Sequence, residues 1–132
     1  MLNLTVERFM TPSPHTVGHD QTLATAHQLM RQHGIRHLPV LEAGKVVGMV
    51  SQRDLYLIES LQDVDPNIVQ VNEAMTMELY CVEPRTPLRE LVAEMVEQKR
   101  GSAVVVEREN AVGIFTTTDA LEALYAVLDP QS

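Results

Sequence analysis

Apolar positions in this chain follow two rhythms, one helical and one extended, and the order of the rhythms occurs twice. Leu23, Ala26, His27 and Met30 keep helical spacing between Thr22 and Gly34, and Leu88, Leu91, Val92 and Met95 do so between Pro87 and Lys99. Pro87 suits a first-turn position and Gly34 a helix stop, while Met30 and Met95 read as core. Two strand-like runs follow each helix: His37–Leu41 and Val46–Val50, then Ala103–Val106 and Val112–Phe115. They are joined by the turn-like segments Glu42-Ala43-Gly44-Lys45 and Glu107-Arg108-Glu109-Asn110. A second helix is expected from Ser51 to about Leu61, and its counterpart from Thr116 to about Leu128. Short extended pieces, Pro14–Val17 and Leu79–Val82, precede the first helix of each half. Lead-in helical turns, Val6–Met10 and Val71–Met75, run into Met-Thr. The order β-α-β-β-α, twice over, predicts a mixed α/β (α+β) fold.

The two halves are copies. At an offset of 65, residues 6–58 align with 71–123 without a gap, and 11 of the 53 pairs are identical. Average composition gives about three by chance. The identities include Val6/Val71, Met10/Met75, Thr11/Thr76, Gly48/Gly113 and Asp54/Asp119. The reading is one repeat over 1–65 and a second over 66–132, joined near Asp63-Val64-Asp65-Pro66-Asn67. A repeat this short buries little core by itself. Packing of two repeats about a pseudo-two-fold axis is the expected remedy.

Composition narrows the function. Ten Lys and Arg against 18 Asp and Glu leave a formal charge of −8, which argues against a general nucleic-acid binder. Cys81 is the single cysteine, so neither an internal disulfide nor a cysteine zinc finger is available. No apolar run approaches the ~20 residues that span a bilayer. The opening residues lack the basic and apolar pattern of a secretory leader, so the cytoplasm is the expected compartment.

The sharpest paired motif is Gly48-Met49-Val50-Ser51-Gln52-Arg53-Asp54, matched by Gly113-Ile114-Phe115-Thr116-Thr117-Thr118-Asp119. A hydroxyl residue ends a strand, and an acid follows in the first turn of a helix. Two readings are open. Ser51-x-x-Asp54 and Thr116-x-x-Asp119 resemble capping boxes, with Asp in place of Glu or Gln. The same geometry also suits a ribose phosphate, with free N–H groups and a hydroxyl for phosphate and a carboxylate for ribose hydroxyls.

With Val6-x-x-Phe9-Met10-Thr11, Gly34-Ile35-Arg36-His37-Leu38-Pro39-Val40 and their second-half counterparts, these segments resemble a tandem pair of cystathionine β-synthase (CBS) domains, a Bateman module. The resemblance spans about residues 5–125. It implies two βαββα CBS repeats, two symmetry-related clefts, and adenosine ligands: AMP, ADP, ATP or S-adenosylmethionine. By matching position, the first cleft would combine Thr16, Val17, Ile35, Arg36, His37 and Leu38 with Ile114, Thr116, Thr118 and Asp119. The second would combine Cys81, Val82, Arg100, Gly101, Ser102 and Ala103 with Met49, Ser51, Arg53 and Asp54. Asp119 and Asp54 would hold ribose, with Thr116 and Ser51 near phosphate, and Arg36 and His37 favour the first cleft. Arg36, Arg53 and Arg100 suit phosphate, or else pair with surface acids.

The remaining chemistry is sparse. His33 and His37 are broken from one helical face by Gly34, and no metal site is expected. Cys81 is expected to be a partly buried thiol beside Val82. No nucleophile stands at recognisable spacing from a base, so an enzyme is not expected. The implied role is a stand-alone regulatory module with no obligatory cofactor. It binds an adenosine compound and signals to an unidentified protein. The alternative is a structural or dimerisation module with vestigial clefts. A homodimer is expected through the late helices, where Leu121, Leu124, Tyr125 and Leu128 share a face.

Overall fold

The computed structural model describes residues 3–131; Met1, Leu2 and Ser132 lie outside the described residues. Each half carries the expected β-α-β-β-α order, the first with one extra strand at its start. The first runs β1 (Thr11–Pro12), β2 (Val17–Gly18), α1 (Leu23–His33), β3 (His37–Glu42), β4 (Lys45–Ser51) and α2 (Gln52–Glu59). The second runs β5 (Cys81–Val82), α3 (Leu88–Gln98), β6 (Ser102–Glu107), β7 (Asn110–Thr116) and α4 (Thr117–Leu128). Single 3-10 turns, Val6–Arg8 and Val71–Glu73, form the lead-ins. Thr22 starts α1 by accepting the Thr25 N–H at 3.2 Å, and Gly34 ends it in the left-handed conformation. Pro87 stands at the N-cap of α3, one place before the expected first turn.

The chain divides into two compact units whose limits differ from those of the sequence repeats. One unit is His15–Leu79; the other joins the segment up to Pro14 with everything from Tyr80 onward. Each lead-in turn therefore packs on the sheet built by the other repeat's strands. Val6 N–H donates to Thr86 O at 3.0 Å, and Leu88 N–H to Leu4 O at 2.8 Å. At matching positions in the other unit, Val71 N–H donates to Gln21 O at 2.7 Å and Leu23 N–H to Val69 O at 3.0 Å. Val6 lies buried among Leu88, Leu91, Ala103, Val105 and Phe115; Val71 among Leu23, Ala26, Leu38, Val40 and Leu55. An isolated repeat would thus lose a fully buried valine from its own sheet.

In the His15–Leu79 unit the sheet order is β2-β3-β4, with β2 parallel to β3 and β3 antiparallel to β4. The other sheet is β1-β7-β6-β5, where β5 is parallel to β6 and both remaining pairs are antiparallel. The extra strand β1, where the sequence pattern predicts only the end of a turn, has a one-residue counterpart in the bridge Met49–Thr76. The repeated glycines explain these crossings. A Cβ at Gly48 would stand 2.6 Å from Met75 Sδ and 2.9 Å from Thr76 O. At Gly113 it would stand 2.5 Å from Met10 Sδ and 3.2 Å from Thr11 O. Gly and Met-Thr are thus two halves of one contact, each supplied by a different repeat.

Candidate ligand-binding site

In the His15–Leu79 unit, the expected site residues gather at one end of the sheet. His37 opens β3 directly opposite Ser51, the last residue of β4. Arg36 O accepts the Gln52 N–H at 2.9 Å, fastening the start of α2 to the start of β3. Val17 pairs with Val40, which brings Thr16 alongside. Leu38, Met49 and Val17 are buried; Ile35, Ser51 and Asp54 are half-buried; Arg36 and Arg53 are exposed. Neither arginine forms an ion pair among the described residues.

The Ser51–Asp54 turn is a complete reciprocal cap. Asp54 N–H donates to Ser51 Oγ at 3.0 Å, and Ser51 N–H donates to Asp54 Oδ2 at 2.9 Å. With Gln52 tied to Arg36, three of the four leading N–H groups of α2 are already engaged. Capping, the plainer of the two readings, is therefore present in full. What it leaves over is Asp54 Oδ1, which takes no hydrogen bond among the described residues. Burial holds the His37 imidazole below its usual pKa, and Arg36 pushes the same way against the pull of Asp54. At neutral pH His37 is a neutral group beside this carboxylate.

The unit carrying Asp119 repeats the frame. Ser102 stands opposite Thr116, Ala103 opposite Phe115, Cys81 beside Val104 and Val82 beside Val105. Gly101 O accepts the Thr117 N–H at 3.3 Å. Val82, Ala103, Ile114 and Asp119 are buried, Ser102 and Thr116 half-buried, Gly101 and Thr118 exposed. Asp119 Oδ2 accepts from the Thr116 N–H at 2.9 Å and the Thr116 hydroxyl at 3.3 Å, and Oδ1 accepts from the Thr11 hydroxyl at 3.1 Å. Thr11 is absent from the set of site residues expected from sequence; its identity with Thr76 in the repeat was the available signal.

Of the two readings open for Arg100, pairing with an acid is present: its Nε donates to Glu94 Oε2 at 3.0 Å, and its guanidinium lies 5.3 Å from the centre of the Tyr80 ring. Burial, Glu94 and Glu90 raise the Tyr80 phenol against the opposing Arg100. Cys81 is exposed rather than partly buried, although loss of water around its sulfur still pushes the thiol up. Each unit therefore places a strand start beside its own hydroxyl-x-x-Asp turn. Among the described residues there is no group of three or more His, Cys, Asp or Glu able to hold a metal ion.

The family model for the CBS domain matches residues 6–58 and again 71–126. The chain belongs to the CBS domain family. It is a tandem CBS pair, and its mixed α/β architecture is that of solved CBS pairs. The CBS domain-containing protein YhcV of Bacillus subtilis is 32% identical over 114 residues, covering 86% of this chain and 81% of that protein. AcuB from Vibrio cholerae is 34% identical with a TM-score of 0.86, covering 98% of this chain and 96% of that one. The CBS pair of protein MJ0100, solved with 5′-methylthioadenosine and S-adenosyl-L-methionine, shares the fold at 21% identity, with a TM-score of 0.82 and 96% and 99% coverage. No helix among the described residues is long and apolar enough to cross a membrane.

Proposed function

We propose that this CBS pair is a cytoplasmic regulatory module that binds an adenosine compound — AMP, ADP, ATP or S-adenosylmethionine — and signals its occupancy to another protein without transforming the ligand. The observation that carries the reading is the Asp54 carboxylate. The Ser51 cap fixes it through one oxygen, and the other is left to accept ribose hydroxyls. The exposed Arg36 and Arg53 supply unpaired guanidinium groups for phosphate. His37, held below its usual pKa, adds an imidazole able to hydrogen-bond a ligand. Arg100, already held by Glu94 and Tyr80, contributes less. An adenosine ligand in the MJ0100 pair is in keeping with this reading.

The test is calorimetric titration with AMP, ADP, ATP and S-adenosylmethionine, with an NAD-type ligand for contrast. Binding of at least one adenosine compound that weakens in Asp54→Ala is expected. Silence to all of them ends this reading.

A second reading, a dimerisation module with vestigial clefts, is favoured by the late helices. Leu121, Leu124, Tyr125 and Leu128 of α4 are each more than half exposed, as are Tyr56 and Leu57 of α2 and Leu61 beyond its end. We propose that these faces form a homodimer, which also serves the regulatory reading. Sedimentation at micromolar protein should show a dimer that Leu124→Glu dissociates. A dimer that ignores every adenosine ligand would leave the second reading as the function.

A further inference from the structure

The two hydroxyl-x-x-Asp turns differ in what occupies the second carboxylate oxygen. Asp54 Oδ1 is without a partner among the described residues, whereas Asp119 Oδ1 accepts the hydroxyl of Thr11 at 3.1 Å. Thr11 lies 108 residues away along the chain, on the exposed strand β1. Its repeat counterpart Thr76 does not reach Asp54; its Oγ1 accepts the N–H of Glu78 at 3.3 Å.

The residues after each threonine differ as well. Pro12 favours an extended backbone at Thr11, whereas Ser13, ahead of Pro14, takes the left-handed conformation at φ 50°. The N–H two residues on, that of Ser13, donates to Val112 O at 3.0 Å. The Thr11 hydroxyl donates its proton to Asp119 Oδ1, within the same compact unit. After Thr76 no proline intervenes, and the Glu78 N–H closes a local turn on the threonine itself.

We propose that Thr11 is a built-in occupant of the Asp119 carboxylate, standing where a ligand hydroxyl would bond, and that it limits this chain to one working ribose acceptor, Asp54. The inference rests on the adenosine-binding reading above. A ligand hydroxyl arriving at Asp119 must displace the Thr11 hydroxyl and exchanges one charge-assisted bond for another, with little gain. One arriving at Asp54 exchanges only water. Thr11 acts through Asp119 and is a positioning residue that sets stoichiometry.

Thr11→Val removes the hydroxyl and keeps the β-branched shape that suits β1. Thr11→Ser keeps the hydroxyl. Both are titrated calorimetrically with AMP, ADP, ATP and S-adenosylmethionine beside the unsubstituted protein, Asp54→Ala, and the double variant Thr11→Val/Asp119→Ala. Thermal melts confirm folding. The unsubstituted protein should take one ligand per chain and lose it in Asp54→Ala. Thr11→Val should add a second binding event, or tighten one by about tenfold, and the double variant should lose that gain. Thr11→Ser should match the unsubstituted protein.

If Thr11→Val titrates like the unsubstituted protein, or if the latter already fills two sites, the Thr11 proposal is overturned. Binding that depends on Asp54 then leaves the adenosine reading intact. A silent unsubstituted protein with a ligand-binding Thr11→Val has the opposite meaning: Thr11 stands, and the native chain is no sensor through Asp54. Silence in every protein removes both.

Discussion

At the start of α2, Ser51 and Asp54 cap each other and leave one carboxylate oxygen over; at the start of α4, Asp119 takes three donors and is 5% exposed. The two turns sit on the same frame, in the same register, after the same Gly. Other paired positions diverge as well. His37 beside Ser51 becomes Ser102 beside Thr116. The pair His27–Glu59, 2.5 Å apart between α1 and α2, falls at the positions of Val92 and Leu124. The stacked rings of His15 and His33 fall at the positions of Tyr80 and Gln98. Duplication supplied two identical frames. The unit of Asp119 has closed its polar groups on one another, while the unit of Asp54 keeps titratable and unpaired groups at its sheet end.

The largest expected effect separates binding from stability at the two acids. Asp54→Ala should weaken the adenosine ligand by tenfold to several hundredfold, since charge-assisted bonds are worth about 1.5–3 kcal/mol each. Its stability cost should be about 1 kcal/mol, that of a helix cap. Asp119→Ala should do the reverse. It strips the acceptor from the Thr11 and Thr116 hydroxyls and the Thr116 N–H, costing about 2–3 kcal/mol in urea unfolding with little change in affinity. Equal losses of affinity in the two variants would break the comparison.

The glycines give the next contrast. In Gly48→Ala the added methyl meets backbone, Thr76 O at 2.9 Å, as well as Met75 Sδ at 2.6 Å. In Gly113→Ala the tight contact, 2.5 Å, is with the flexible end of Met10, while Thr11 O is 3.2 Å away. Overpacking costs about 1–3 kcal/mol. Gly48→Ala should fall in that range and Gly113→Ala below it, measured by the same unfolding curves.

How much of this could be read beforehand depended on whether the signal was periodic. The helical stripes of α1 and α3 and the offset of 65 are patterns within one repeat, and they place the elements well. The exchange of Val6 and Val71 between sheets leaves no such pattern, because a buried valine reads the same in either core. The capping and ribose readings of Ser51-x-x-Asp54 are both open from sequence, and the two turns differ in the direction of the hydroxyl bond and in the second carboxylate oxygen. Its occupant, Thr11, comes from 108 residues away on β1, a pairing that hydrophobic periodicity does not register.

His37 makes the comparison sensitive to pH. Its pKa is lowered in the folded protein, so between that value and 6.5 the unfolded chain binds more protons. The associated stability is present above pH 6.5 and is lost as pH falls through the lowered folded value. His37→Ser, which gives this unit the residue the other has, should flatten the acid arm of a stability–pH curve below 6.5. An unchanged arm would assign it to other groups.

The smallest effect concerns the ends of α1 and α3, which both turn into the left-handed conformation. Gly34 does so at φ 63°, and Lys99 at φ 54°. Glycine adopts this conformation freely, whereas a lysine Cβ crowds the following carbonyl at a cost of about 1–2 kcal/mol. Lys99→Gly should recover part of that, because the added freedom of the unfolded chain at glycine offsets roughly 0.5–1 kcal/mol. The expected net is a gain of at most about 1 kcal/mol, a rise in Tm of about 3–4 °C for a chain of this size. Gly34→Ala, the mirror experiment, should lower Tm by a similar amount. If Lys99→Gly destabilises instead, the lysine side chain must supply packing or charge at the end of α3 that outweighs its backbone strain, and the two helix ends would be equivalent in shape but not in cause.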